Sequence, residues 1–174
     1  MFKKLKVSQQ LSLLVGIFSI ALVGIGVFGL YGTSATLQSL KTVYEDRVVP
    51  LRQLSTIADA YAVNIVDTSH KVNNGNIGWA EAGRNVAEAR ETIRHTWEAY
   101  LATFLVEEEQ RIVAELRPLL QSADAAVDRL QTILRQEDAA ALEGFIVDEL
   151  YQRIDPVSEA FGRLKEVQLD VAET

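Results

Sequence analysis

The residues best suited to bind a ligand form a basic side on one predicted helix. They are Arg84, Arg90, Arg94 and His95. Arginine suits carboxylate ligands because its planar guanidinium donates two parallel hydrogen bonds. The alternative interpretation is ion pairing with acids of the same helix, namely Glu81, Glu88, Glu91 and Glu98.

Neither catalysis nor a metal site is indicated by the remaining reactive residues. The only histidines are His70 and His95, and the chain has no cysteine. A carboxylate-bridged di-iron bundle needs two Glu-x-x-His motifs, whereas Glu91 and His95 are a single pair four residues apart. No glycine-rich phosphate loop, G-x-S-x-G or H-E-x-x-H occurs. We therefore expect no enzyme activity, no metal and no cofactor.

An uncharged segment near the N-terminus predicts a membrane anchor. No charged residue occurs from Val7 to Leu40, and Lys3, Lys4 and Lys6 precede that segment. About 20 apolar residues suffice to cross a bilayer as a helix, and a cleaved signal has a shorter apolar region. Positive flanks stay in the cytoplasm. The predicted order is a cytoplasmic segment, a transmembrane helix and an external domain, at residues 1–10, 11–31 and 32–174.

The charge of the external domain argues against nucleic acid as a partner. The whole chain has a net charge of -7, with 17 basic and 24 acidic residues. Without the three N-terminal lysines, 14 basic residues face 24 acidic ones, so the rest of the chain carries -10. Proteins that bind nucleic acid show basic patches instead.

Apolar residues at steps of three and four predict four helices in the external domain. The stripes run over residues 37–72, 79–104, 112–134 and 142–171. Asn and Gly residues at 73–78 predict a turn, and Asp138 is the predicted N-cap of the last helix. No segment alternates with the period of a strand. Short turns between long helices predict an all-α fold: a transmembrane helix that continues into an antiparallel up-down-up-down four-helix bundle.

Three prolines lie inside these helical patterns, at Pro50, Pro118 and Pro156. Each removes an internal hydrogen bond, so each is expected to kink its helix or to mark a start. For Pro50 a new helix after a break near Val48 and Val49 is an alternative.

If the first two predicted helices pack antiparallel on either side of the turn at 73–78, residues at equal distances from that turn lie side by side. Asn64 should lie near Arg90, and Thr68 near Arg84. We expect a small carboxylate, an organic acid rather than a sugar, to bind in the half of the bundle farthest from the membrane. Arg90 or Arg94 would clamp the carboxylate. The predicted ligand-binding residues are Tyr61, Asn64, Thr68, His70, Arg84, Arg90, Arg94 and Tyr151.

Several segments resemble the four-helix-bundle sensor domain of bacterial methyl-accepting chemotaxis receptors. They are YEDRVVPLRQL at 44–54, DAY at 59–61, NIVD at 64–67, WEAYLAT at 97–103 and DELYQRIDPV at 148–157. The resemblance implies a homodimeric receptor of the bacterial inner membrane with a periplasmic sensor. It also implies that a second membrane span, a HAMP linker and a cytoplasmic region controlling the chemotaxis kinase complex would follow Thr174.

The resemblance also sets the expected ligand and its alternatives. Aspartate-type members bind their ligand at the dimer interface, through arginines of the first helix and polar groups of the fourth. Here the first helix has no arginine after Arg52, so either an organic acid or an amino acid bound differently is expected. Helices 1 and 4 are the predicted dimer interface. The alternatives are the input domain of a sensor histidine kinase or cyclase, and an anchored helical scaffold for a protein partner.

Overall fold

The computed structural model describes residues 7–172, and nearly all of them are helical. No strand occurs within that range, which confirms the predicted all-α fold class. The chain divides into two compact units, residues 1–43 and 44–174.

The first unit contains one long helix, α1 (Val7–Val43). Its segment Leu11–Thr33 is long and apolar enough to cross a membrane. The large apolar side chains of this segment are exposed, including Phe18 and Phe28. Such a surface is unfavourable in water, whereas bilayer hydrocarbon would cover it.

The second unit begins with a helical stretch, residues 44–73, that contains two wide turns. It consists of π1 (Tyr44–Val48), α2 (Val49–Asp59), π2 (Ala60–Asp67) and α3 (Thr68–Asn73). Pro50 lies at the start of α2, directly after the π1 turn. Val48 keeps helical dihedral angles, with φ -68° and ψ -41°, so the chain stays helical and the alternative of a break near Val48 and Val49 is wrong. Residues 44–73 are called the first bundle helix below.

The other three bundle helices follow after short turns. The second is α4 (Trp79–Leu101) and the third is α5 (Glu107–Gln136), which carries Pro118 in its interior. The fourth bundle helix, residues 139–172, consists of α6 (Ala139–Phe145), π3 (Ile146–Leu150) and α7 (Tyr151–Ala172). Pro156 lies inside α7.

The four bundle helices pack in a closed ring. The first contacts the second and the fourth, and the third also contacts the second and the fourth. Because short turns join neighbours, consecutive helices run antiparallel. The predicted up-down-up-down bundle is confirmed.

All four helices contribute to one apolar core. The predicted stripe of the first bundle helix is buried at Leu54, Tyr61, Ile65 and Val72. The largest fully buried side chains include four aromatic rings, those of Tyr61, Tyr100, Phe145 and Phe161. The stripe is not buried along its whole length, because Tyr44 and Val48 are exposed.

Local chemistry fixes the two turns at the end of the bundle where α4 begins and α5 ends. Gly75 has a φ of 71°, and Glu137 has a φ of 54°. The Asp138 carboxylate accepts a hydrogen bond of 3.0 Å from the Ala141 N–H, which confirms the predicted N-cap. Both turns are short, so they hold the hairpins closed.

Candidate functional site

A cleft of about 590 Å³ opens between α4 and α5. We call it the central cleft. Its size falls within the range typical of small-molecule sites. It is lined by Tyr61, Arg90, Glu91, Ile93, Arg94, Trp97, Glu98, Arg117, Leu120, Gln121 and Asp124.

Helical spacing brings the polar groups of the cleft together. On α4, Arg90, Arg94 and Trp97 follow at steps of four and three; on α5, Arg117, Gln121 and Asp124 do the same. Residues three and four apart lie on one face of a helix. The cleft therefore has two facing walls, one on α4 and one on α5, and each carries charged groups about one helical turn apart.

Aromatic rings anchor the cleft to the core. Tyr61 is buried, and its ring lies 6.4 Å from that of Phe161. The Trp97 ring meets Phe161 edge-on at 5.4 Å and stacks on Tyr100 at the same distance. Such arrangements are favourable geometries for aromatic pairs. They fix the position of the indole at the cleft wall.

The arginines of the cleft differ in how fully they are paired. Arg94 donates to Glu91 and, at 3.0 Å, to Glu98. Its guanidinium lowers the pKa of the Glu91 carboxyl through their hydrogen bond. Arg90 pairs with Asp128 on the neighbouring helix α5. Arg117 has no ion pair among the residues that the structure describes, so its guanidinium is open to a ligand.

Two titratable groups of the cleft are shifted toward their neutral forms. Partial burial raises the pKa of the Asp124 carboxyl; nearby Arg90 opposes that effect and Asp128 adds to it. Burial likewise raises the pKa of the Tyr61 phenol, with a smaller contribution from Asp124. At neutral pH the Tyr61 hydroxyl is therefore protonated and able to donate a hydrogen bond.

The eight residues predicted to bind ligand lie in four places. Tyr61, Arg90 and Arg94 line the central cleft. Asn64 and Thr68 border a smaller cleft between the first two bundle helices, together with Asn85 and Glu88. Asn64 and Thr68 therefore border a different cleft from Arg90 and from Arg84, the residues that they were predicted to lie near.

The remaining three predicted residues lie elsewhere. His70 Nε2 and the Tyr151 hydroxyl form a hydrogen bond of 2.8 Å with each other, and their rings are 5.9 Å apart. Arg84 lines a further cleft at the end of the bundle. The structure therefore does not assemble the eight residues into one site.

Sequence reasoning did not include several residues of the central cleft among the ligand-binding residues. Trp97, Arg117, Gln121 and Asp124 all line it. The spacing of Arg117, Gln121 and Asp124 beside the apolar stripe of α5 was an available signal for the second wall. Among the residues that the structure describes, no group of three His, Asp or Glu side chains could hold a metal ion.

The fold and the cleft define a class of protein: a helical ligand-binding domain on the same chain as a membrane-length helix. Comparison with known families is more specific. The model of the Tar ligand binding domain homologue family matches residues 1–172, and the chain belongs to this family. It is a chemoreceptor ligand-binding domain, a receptor class and not an enzyme class.

One similar curated protein is "Methyl-accepting chemotaxis protein NahY" of Pseudomonas putida. The chain is 42% identical to it over 164 residues, which is 94% of this chain. The chain spans 30% of the length of that relative. No solved structure matches the chain.

Proposed function

We propose that the chain is the sensor part of a transmembrane chemotaxis receptor that detects a small organic acid in the periplasm. The observation that carries the ligand class is the central cleft, where Arg90 and Arg117 face a space of ligand size. The similar methyl-accepting chemotaxis protein supports the receptor assignment.

Donor counting favours Arg117 and Arg90 over Arg94 as carboxylate partners. A guanidinium has five N–H donors. Arg94 already uses all three of its nitrogens on Glu91 and Glu98. Arg90 makes one ion pair, with Asp128, and Arg117 makes none among the residues that the structure describes. A ligand carboxylate bound to Arg117 and Arg90 would displace no buried interaction.

Neutral groups of the cleft would complete the site. Tyr61 and Gln121 both line the cleft, and a phenol hydroxyl and a side-chain amide can each donate to a carboxylate oxygen. Trp97 provides an apolar surface for the body of the ligand. The acids Glu91, Glu98 and Asp124 favour a ligand with few negative charges, because every additional carboxylate would face them.

The membrane topology of the proposal rests on the N-terminal lysines. Lys3, Lys4 and Lys6 precede the segment Leu11–Thr33, and positive flanks remain cytoplasmic. The bundle would then lie in the periplasm of a bacterial cell, anchored in the inner membrane. Its signal would reach a chemotaxis kinase complex through a cytoplasmic region of the receptor.

Calorimetry on the 174-residue chain in nanodiscs tests the ligand class. The probes are butanoate and succinate, with glucose as the neutral control. Loss of a hydrogen bond to a charged group costs about 1.5–3 kcal/mol, so Arg117→Gln and Arg90→Gln should each weaken binding roughly 10- to 150-fold. Arg52→Gln, an exposed arginine on the first bundle helix, is the matched control and should leave affinity unchanged.

Two results would overturn the carboxylate assignment. One is glucose binding without binding of either acid. The other is unchanged affinity in both Arg117→Gln and Arg90→Gln. Binding of succinate in preference to butanoate would keep the carboxylate assignment and identify the ligand as a diacid.

A further inference from the structure

A second cleft, of about 450 Å³, lies at the end of the bundle formed by the start of α4 and the end of α5. We call it the tip cleft. It shares no lining residue with the central cleft. It is lined by Trp79, Ala80, Gly83, Arg84, Ala87, Gln131, Leu134, Arg135 and Glu137.

Two arginines of the tip cleft lack a carboxylate partner among the residues that the structure describes. Among the described residues, the Arg135 side chain donates to the Thr132 hydroxyl, at 3.0 Å, and to no other group, and the Arg84 side chain makes no hydrogen bond or ion pair. Five other arginines of the bundle do pair with acids, namely Arg90, Arg94, Arg111, Arg129 and Arg163. What distinguishes Arg84 and Arg135 is that they lie on opposite walls of one cleft.

Local helix electrostatics explains only one of the two. Arg135 is in the last turn of α5, where the helix dipole favours a cation. Arg84 is the sixth residue of α4, beyond the first turn, so the helix dipole gives no reason for a cation there. Glu137 is the one acid of the cleft lining, and in the described part of the chain its carboxylate accepts no hydrogen bond from either arginine. A bound anion would account for both cations together.

The walls between the arginines are apolar and leave open space. Trp79 and Leu134 contribute large side chains, while Ala80, Gly83 and Ala87 contribute almost none. A Cβ built on Gly83 would have no other atom within 4 Å. The space therefore suits the apolar body of a small molecule whose charged end meets Arg84 and Arg135.

We propose that the tip cleft is a second ligand site, which takes a small monocarboxylate with an apolar body. The ligand lies between the start of α4 and the end of α5, so it contacts both helices and stabilises their packing. This site is independent of the proposed central ligand, because no lining residue is shared.

The two tryptophans of the chain allow each cleft to be observed separately. The sequence contains two Trp, with Trp79 in the tip cleft and Trp97 in the central cleft. Fluorine NMR of the 5-fluorotryptophan-labelled 174-residue chain in nanodiscs gives one resonance for each, assigned with Trp79→Phe. Hexanoate is the probe, and hexan-1-ol is the matched neutral probe.

Hexanoate should shift the Trp79 resonance saturably, and hexan-1-ol should not. Arg84→Gln and Arg135→Gln should each weaken that response roughly tenfold or more, since each removes a charge-assisted hydrogen bond. Gly83→Leu should abolish the response by filling the cleft. Gly144→Leu is its matched control, because Gly144 is also a helical glycine with open space at its Cβ.

The proposal is overturned if the Trp79 resonance stays fixed, or if hexan-1-ol shifts it equally. Unchanged affinity in both arginine variants also overturns it. A folded Gly83→Leu is recognised by an unaltered Trp97 resonance, and the arginine variants decide the matter if that substitution prevents folding. A shift of the Trp97 resonance alone would support the central site and refute this one.

Discussion

Asp124 combines a perturbed charge with a position in the central cleft. Burial, with a contribution from Asp128, raises the pKa of its carboxyl above the usual range. Arg90 acts in the opposite direction. Ionised Asp124 therefore repels an anionic ligand, whereas protonated Asp124 can donate to it. The other charged groups that line the cleft are Glu91, Arg94, Glu98 and Arg117.

Asp124→Asn should raise the melting temperature at neutral pH. For an acid whose folded pKa is raised, the charged form costs the folded state stability. That cost is present above the folded pKa and disappears as the pH falls below the unfolded pKa. The advantage of Asp124→Asn should therefore be largest at neutral pH and shrink in acid, as followed by circular dichroism melts over a pH series.

The matched control for that experiment is Asp148→Asn, an exposed carboxylate on the fourth bundle helix. Its effect should not follow the same pH trend. Carboxylate binding should also strengthen in wild type as the pH falls toward the pKa of Asp124, and this trend should be lost in Asp124→Asn. A larger stabilisation in acid than at neutral pH would contradict the assigned direction.

Individual side-chain partners could be predicted only where they lie on one helix. Arg94 pairs with Glu91 and Glu98 on α4, as local spacing suggests. Arg90 pairs with Asp128 on another helix, and no periodicity within α4 contains that information. Relative rotation of packed helices decides such pairs.

Glu109 shows the same limit for a buried group. Three acids, Glu107, Glu108 and Glu109, begin α5, where the helix dipole favours negative charge, and the sequence alone indicates no other role for them. Glu109 is 1% exposed and accepts hydrogen bonds from the Tyr100 hydroxyl at 2.6 Å, the Val106 N–H at 2.9 Å and the Gln168 amide. Three donors satisfy the buried carboxylate, and they join α4, the turn and α7.

At the scale of elements, apolar periodicity predicted the helices and their order. Each of the four stripes corresponds to a bundle helix, and the turn after Asn73 and the N-cap Asp138 are where the residue types placed them. The π-helical segments π1, π2 and π3 were not predicted. A π turn keeps the chain helical and adds about one residue to that turn of the helix. An apolar stripe whose steps are three or four residues already allows for one extra residue.

Both turns at this end of the bundle contain a left-handed residue, at Gly75 and at Glu137, and glycine should be favoured at each. Gly75 has a left-handed backbone, which costs other residues roughly 1–2 kcal/mol. Gly75→Ala should therefore lower the free energy of unfolding by about that amount. Glu137 adopts the same region without being glycine, so Glu137→Gly should raise stability. Urea denaturation of the 174-residue chain in detergent measures both.

Gly83→Ala is the matched control for these substitutions. Gly83 lies in α4 with free space at its Cβ, so alanine there should stabilise by roughly 0.5–1 kcal/mol. If Gly75→Ala and Gly83→Ala shifted stability in the same direction, backbone conformation would not explain the choice of glycine in the turn.

At the scale of the whole molecule, the exposed apolar side chains of the bundle are concentrated on two of its helices. Among the described residues, most large exposed apolar side chains of the second unit lie on the first and fourth bundle helices. They are Tyr44, Val48, Val63, Val147, Tyr151 and Leu169. Leu101 and Phe104 are at the end of α4 and in the turn after it. We therefore retain the prediction of a homodimer whose interface is formed by the first and fourth bundle helices.

Charge and the membrane act on this dimer in opposite directions. Each copy carries -10 beyond its N-terminal lysines, so two copies repel one another, and salt reduces this repulsion. A shared membrane raises their effective concentration. Association should be weak in low salt after detergent extraction and strong in the membrane.

Cysteine crosslinking in membranes tests the interface directly, because the chain has no cysteine of its own. Val48→Cys should form a disulfide-linked dimer. Ala114→Cys, on the exposed side of the third bundle helix, should not.

Adding Val147→Glu, at a residue that is 73% exposed, should reduce the Val48 crosslink because it places like charges across the interface. Ala114→Glu adds the same charge elsewhere and should leave the crosslink unchanged. Equal crosslinking at Val48 and Ala114 would indicate random collision in the membrane. The first and fourth bundle helices would then have no special role in association.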